Sequence, residues 1–182
     1  MIVPPPPRAS AIVDPRIGDL GPALLALEDG TVFPGVAFVE AGGRIAIGSD
    51  SNTIIDPFVE LRQLEYTQRL RLRHRNLLGR GDAPVGQSLW AAAARGGAQA
   101  CGRNAGGIAA GMRADLVVLD PDEPALAGHR CDTVLDAAVF GPCRRPVRDV
   151  LCSGRFIVRE GHHQREAEVF ARFRTVLARL EA

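Results

Sequence analysis

The spacing of apolar residues changes character along the chain. Residues 1–27 hold no sustained period: Pro4 to Pro7 is a stiff polyproline run, and Pro15 and Pro22 interrupt the residues after it. This stretch is expected to be a disordered leader, with only "ALLALEDG" (23–30) helical in look. In "FPGVAFVEAGG" (33–43), Phe33, Val36, Ala37 and Val39 fall near one helical stripe that stops at Gly42-Gly43, a C-cap signal. "RIAIGS" (44–49) is a short, nearly unbroken apolar run of the kind buried in parallel sheets. Asp56-Pro57 then opens a long helix, with Asp as N-cap and Pro in the first position. Val59, Leu61, Leu64, Leu70, Leu77 and Leu78 supply its apolar positions, and Glu65 and Arg69 make an i,i+4 pair on its polar side.

The second half reads differently. "QSLWAAAARGGAQACG" (87–102) has the pattern of another helix, and "ADLVVL" (114–119) that of a strand. "DTVLDAAVF" (132–140) reads as a short helix, and "VRDVLCSGRFIVREGHH" (147–163) as two strands around a Ser153-Gly154 hairpin turn. The chain closes on a helix, 164–180, whose stripe is Val169, Phe170, Phe173, Val176, Leu177 and Leu180. The expectation is an α/β piece followed by a β-rich piece, without internal repeats.

Composition narrows the function classes. The 182 residues are 46% hydrophobic and 24% charged with a net charge of +1, which gives no reason to expect a nucleic acid or a membrane as partner. The four cysteines lack any CxxC spacing and read as buried free thiols in a reducing cytoplasm. Arg69, Arg71, Arg73 and Arg75 alternate rather than form one helical stripe, so a solvated surface is expected of them rather than a phosphate site. No phosphate loop, nucleophile elbow or dinucleotide fingerprint is present.

Asp50 is the strongest candidate for chemistry. It follows an apolar strand and precedes a helix, the place where α/β barrels gather their active-site loops. A carboxylate there can ligate a metal ion and take a proton from an attacking water, or it can do no more than bond the backbone amides of a turn. His74, His129, His162 and His163 form no HxH pair, and each reads as an ordinary surface histidine.

"GGRIAIGSDSN" followed by "ELRQLEYTQRLRLRHRN" resembles the last barrel unit of the amidohydrolase superfamily, and within it the formimidoylglutamate deiminases of histidine degradation. "GGIAAGMRADLVVLD" and "VRDVLCSGRFIVREGHH" resemble the closing strands of the small β-sandwich of that superfamily. The likeness runs from Glu28 to Ala182. It implies residues 28–104 as the final helix–strand–helix part of a (β/α)₈ TIM barrel, 105–163 as part of the sandwich and 164–182 as a terminal helix. It further implies zinc as cofactor, Asp50 as metal ligand and catalytic proton acceptor, and formimidoylglutamate as the small-molecule substrate, hydrolysed to formylglutamate and ammonia. Full-length relatives of this kind often pair, so a homodimer fits the resemblance.

The remaining ligands of that family, an HxH pair and a later histidine, have no counterpart here. The chain is therefore expected to be a carboxyl-terminal part, inactive alone, without retained zinc, and poorly soluble or dependent on a partner. Two alternatives stay open: a piece of another amidohydrolase, such as a guanine or chlorotriazine deaminase, and a non-enzymatic remnant.

Overall fold

The computed structural model describes residues 43–49, 54–131 and 133–181, together with the backbone of three extended dipeptides nearer the amino terminus. Those dipeptides are β1 (Ile2–Val3), β2 (Leu25–Ala26) and β3 (Val32–Phe33). They are followed by β4 (Arg44–Ile45), α1 (Pro57–Leu72), α2 (Val85–Ala100) and β5 (Leu116–Leu119). After a single 3₁₀ turn, Pro124–Leu126, come α3 (Val134–Phe140), β6 (Val147–Cys152), β7 (Arg155–Arg159), β8 (His162–His163) and α4 (Glu166–Leu180).

The long helix begins where the sequence places it. Asp56 Oδ1 accepts the Phe58 and Val59 amides at 2.8 and 3.4 Å, and Pro57 gives up no needed donor. It stops earlier than expected, at Leu72, with Arg73 left-handed at φ 53°. Glu65 explains the early stop. Its side chain is fully buried and accepts the amides of Leu77 and Leu78 at 3.1 and 3.0 Å, while Arg69 Nε donates to it at 2.7 Å. These bonds hold the chain folded back along α1, so Leu77 and Leu78 reach the core from a loop. Glu65 thus lies inside rather than on the polar side, with Arg69 half-buried beside it, and Leu70 is exposed. Spacing alone could not reveal this, because the acceptor's partners come from beyond the helix.

The core sits among α1, α2 and α3. Phe58 and Leu61 pack with Leu78, Val85, Leu89, Ala93, Leu126, Ala137, Ala138 and Val139, and Phe58 stacks on Trp90 with centroids 5.0 Å apart. Polar bonds join the helices at their ends. Arg62 donates to the carbonyls of Val139 and Gly141, which closes the carboxyl end of α3. Helix α2 has no side-chain cap of its own, and Asp136 of α3 accepts the Gly86 amide in its first turn.

The amino-terminal part differs from expectation. Arg44–Ile45 pairs antiparallel with Ile2–Val3, where a parallel barrel neighbour was expected, and Phe33 is extended against Leu25 rather than helical. A parallel pair requires a crossover partner, and among the described residues none is present for β4. The rest of the expected 33–43 helix lies outside the described residues.

The second sheet is antiparallel in the order β5-β6-β7-β8. Its two tight turns use one device. Ser153-Gly154 and Glu160-Gly161 both have positive φ at both residues, the type I′ geometry of two-residue hairpins. In the first turn the Ser153 amide donates to Asp115 Oδ1 at 2.7 Å and the Gly154 amide to the Ala114 carbonyl at 2.8 Å. In the second, the Glu160 amide donates to Asp149 Oδ1 at 2.9 Å and the Gly161 amide to the Arg148 carbonyl at 2.7 Å. The sequence reading missed β8. The Glu160-Gly161 dipeptide, two residues between strand-like runs, was its signal.

Two further expectations change. Cys101 and Cys131 are exposed and Cys143 and Cys152 half-buried, so the thiols are free but not uniformly inside. Cys101 ends α2 and Cys131 lies in the turn before α3, both outside the packed interface. Helix α4 has the anticipated apolar stripe, yet none of its residues is buried.

Candidate functional site

The candidate site lies in the connection from β4 to α1, and its two ends are well defined. Ile45 is buried, and its carbonyl presses so close to Gly96 of α2 that a Cβ on that residue would collide with it. Only glycine admits that approach of helix to strand. Ile47 packs on the helical core, Gly48 is open, and Ser49 is half-buried. Asp50 is the next residue, and with 51–53 it lies outside the described residues. The chain resumes at Ile54, and the Asp56 cap fixes the start of α1. In chain order Asp50 falls between Ser49 and Ile54, the last and first described residues on either side of it.

The histidines are exposed, and three of them have hydrogen-bond partners near them in the chain. His74 is exposed just past α1. His129 Nδ1 lies 3.2 Å from Thr133 Oγ1, and His162 Nδ1 lies 3.1 Å from Glu166 Oε2. His163 Nδ1 accepts the Arg165 amide at 3.2 Å. His162 and His163 are neighbours on β8 and face opposite sides, as their spacing implies. Among the described residues no three His, Cys, Asp or Glu side chains come together to hold a metal ion.

The perturbed groups are structural. The Arg113 guanidinium and then the Ser153 amide hold the Asp115 carboxyl below its ordinary range, and the Glu160 amide and Arg148 do the same for Asp149. Burial pushes the Cys143 thiol up, away from the range of activated thiolates. The arginine run is mixed in character. Arg69 lies over the rings of Tyr66 and Phe140, themselves stacked at 5.8 Å, while Arg73 and Arg75 are exposed. No described helix is long and apolar enough to cross a membrane.

Residues 31–157 match the Amidohydrolase family. The chain belongs to the amidohydrolase family. It is 47% identical over 155 residues to a formimidoylglutamate deiminase of Pseudomonas aeruginosa, covering 85% of this chain and 34% of that protein. A crystal structure of an amidohydrolase from Brucella melitensis superposes with a TM-score of 0.74 at 38% identity, over 85% of this chain and 34% of the other. An adenosine deaminase from Xanthomonas campestris, crystallised with bound zinc, shares the fold at TM-score 0.67 and 24% identity, over 84% of this chain and 35% of its own. This amidohydrolase chain thus spans about a third of the length of the relatives it matches. Its family is generally metal-dependent. A catalytic zinc needs three protein ligands and an open position, and the described residues of this chain do not by themselves meet that demand.

Proposed function

We propose that this chain supplies the closing part of a formimidoylglutamate deiminase, an enzyme that hydrolyses a non-peptide C–N bond and releases ammonia. The observation that carries the reading is the 47% identity, over 155 residues and 85% of this chain, to the Pseudomonas aeruginosa formimidoylglutamate deiminase. The substrate is then N-formimidoyl-L-glutamate and the organic product N-formyl-L-glutamate.

In this reading Asp50 would lend one carboxylate to a metal site and would serve as a proton acceptor for the water consumed in hydrolysis. The other ligands would have to come from outside the described residues. Gly96 lets α2 seat β4, and the Asp56 cap fixes the start of α1.

The test is a chimera in which this chain follows the part of the Pseudomonas aeruginosa protein that precedes the matched region. Stoichiometric zinc and ammonia release from N-formimidoyl-L-glutamate are expected, with both lost or sharply reduced in Asp50→Asn. A folded, zinc-loaded chimera that ignores this substrate refutes the substrate assignment. Unchanged zinc and turnover in Asp50→Asn refute the role of Asp50.

A further inference from the structure

Helix α4 carries an apolar face that the described residues do not cover. Val169, Phe170, Phe173, Val176, Leu177 and Leu180 fall on one stripe, and each is between 38% and 77% exposed. The helix is tied at its start, where Glu166 Oε2 lies 3.1 Å from His162 Nδ1 and the Arg165 amide donates to His163 Nδ1 at 3.2 Å. Past that turn it stands apart from the helical core, to which it contributes no residue. A helix of 15 residues is marginal in water on propensity alone, and helices of this length draw their stability from a surface packed on the apolar face.

Two observations indicate what that surface is. The matched region makes up 34% of the Pseudomonas aeruginosa deiminase, so about two-thirds of a relative of that length lies outside it. The described residues also hold no metal-binding group, so a working unit of this family needs residues from elsewhere. A second copy of the chain is the poorer fit. The stripe is about 17 Å long, and one such stripe on its copy is small beside the roughly 1,200–2,000 Å² that stable interfaces bury. The rest of an amidohydrolase can also meet further exposed apolar side chains, such as Val117 of β5 and Phe156 of β7.

We propose that the apolar stripe of α4 is a docking surface for the part of an amidohydrolase polypeptide outside the matched region, and that it works even when that part is a separate chain. The partner presents an apolar groove that takes the stripe. The inference rests on the reading of this chain as one part of a larger enzyme, and it is independent of the substrate.

Co-expression of the 182-residue chain with a tagged polypeptide comprising the Pseudomonas aeruginosa deiminase outside the matched region tests the surface. The parent chain should co-purify with the tag. Phe173→Asp/Val176→Asp, which places two charges in the apolar contact, should co-purify roughly tenfold less or worse. Ala171→Asp/Ala178→Asp puts the same charges on the opposite face of α4 and should behave like the parent. Circular dichroism of each chain alone confirms that the variants are folded. No co-purification of the parent, or equal recovery of the two folded variants, overturns the proposal. So does a dimer of the chain alone, seen by sedimentation, that Phe173→Asp/Val176→Asp dissolves, because the stripe then belongs to a second copy. Docking is read without substrate, so a complex that forms yet ignores N-formimidoyl-L-glutamate refutes the substrate assignment and leaves the docking surface standing.

Discussion

Helices α1, α2 and α3 on one side and helix α4 on the other all carry apolar positions at helical spacing, yet only the first three bury them. Leu61 of α1 has no exposed surface, while Phe170 and Phe173 of α4 are 59% and 55% exposed. The difference is one of partners rather than pattern. Each helix of the first group meets a neighbour that supplies both apolar surface and a polar tie: Arg62 onto the end of α3, Asp136 onto the start of α2, Glu65 onto the loop after α1. Helix α4 has local ion pairs, such as Glu168 with Arg165 just before its first turn at 2.9 Å, and these are exposed pairs of small worth. A helical stripe announces a capacity for burial, and only a facing surface converts it into stability.

The largest effects should therefore come from the three-helix core. Leu61→Ala is expected to cost about 2–5 kcal/mol in a urea titration, because a fully enclosed side chain leaves a cavity that packed neighbours cannot fill. Glu65→Gln comes next, at about 1–3 kcal/mol. One amide oxygen cannot replace two carboxylate oxygens, so the Leu77 or Leu78 amide loses its acceptor. If Glu65→Gln unfolds at the parent midpoint, the folded-back loop is not what that carboxylate holds. Asp56→Ala should cost about 1 kcal/mol through loss of the α1 cap, read as a lowered thermal midpoint.

The sheet adds a pH-dependent contribution. Asp115 and Asp149 have depressed carboxyl pKa values in the folded chain, so their stabilisation is present above the ordinary aspartate value of about 3.9 and lost as pH falls through the folded values. The Asp115→Asn/Asp149→Asn double variant should show a flatter loss of stability on acidification than the parent. An unchanged acid limb would mean that the turn carboxylates contribute nothing to it. The smallest effect is expected in α4, where Phe173→Ser should change the unfolding free energy by no more than about 0.5 kcal/mol. A cost like that of Leu61→Ala would show that α4 has a packing surface in solution and would erase the contrast.

Legibility in the sequence followed how local each cause was. Asp56-Pro57 marked the start of α1, and Ser153-Gly154 marked a hairpin, because a cap and a two-residue turn depend on a few neighbouring atoms. The family was legible too, from "GGRIAIGSDSN" and the helix after it. The burial of Glu65 was not, since its partners stand twelve and thirteen residues away and its own position alternates normally on the helix.

The sequence by itself determined that α1, α2, α3 and α4 are helices, the Asp56 cap of α1, the strands of the second sheet except β8, and the kinship. Tertiary structure alone decided where α1 ends, which amphipathic faces find a neighbour, and which charges meet. The physical reason is distance along the chain. Propensity, capping and turn geometry act over a few residues, whereas burial and electrostatic grouping depend on segments that only folding brings into contact.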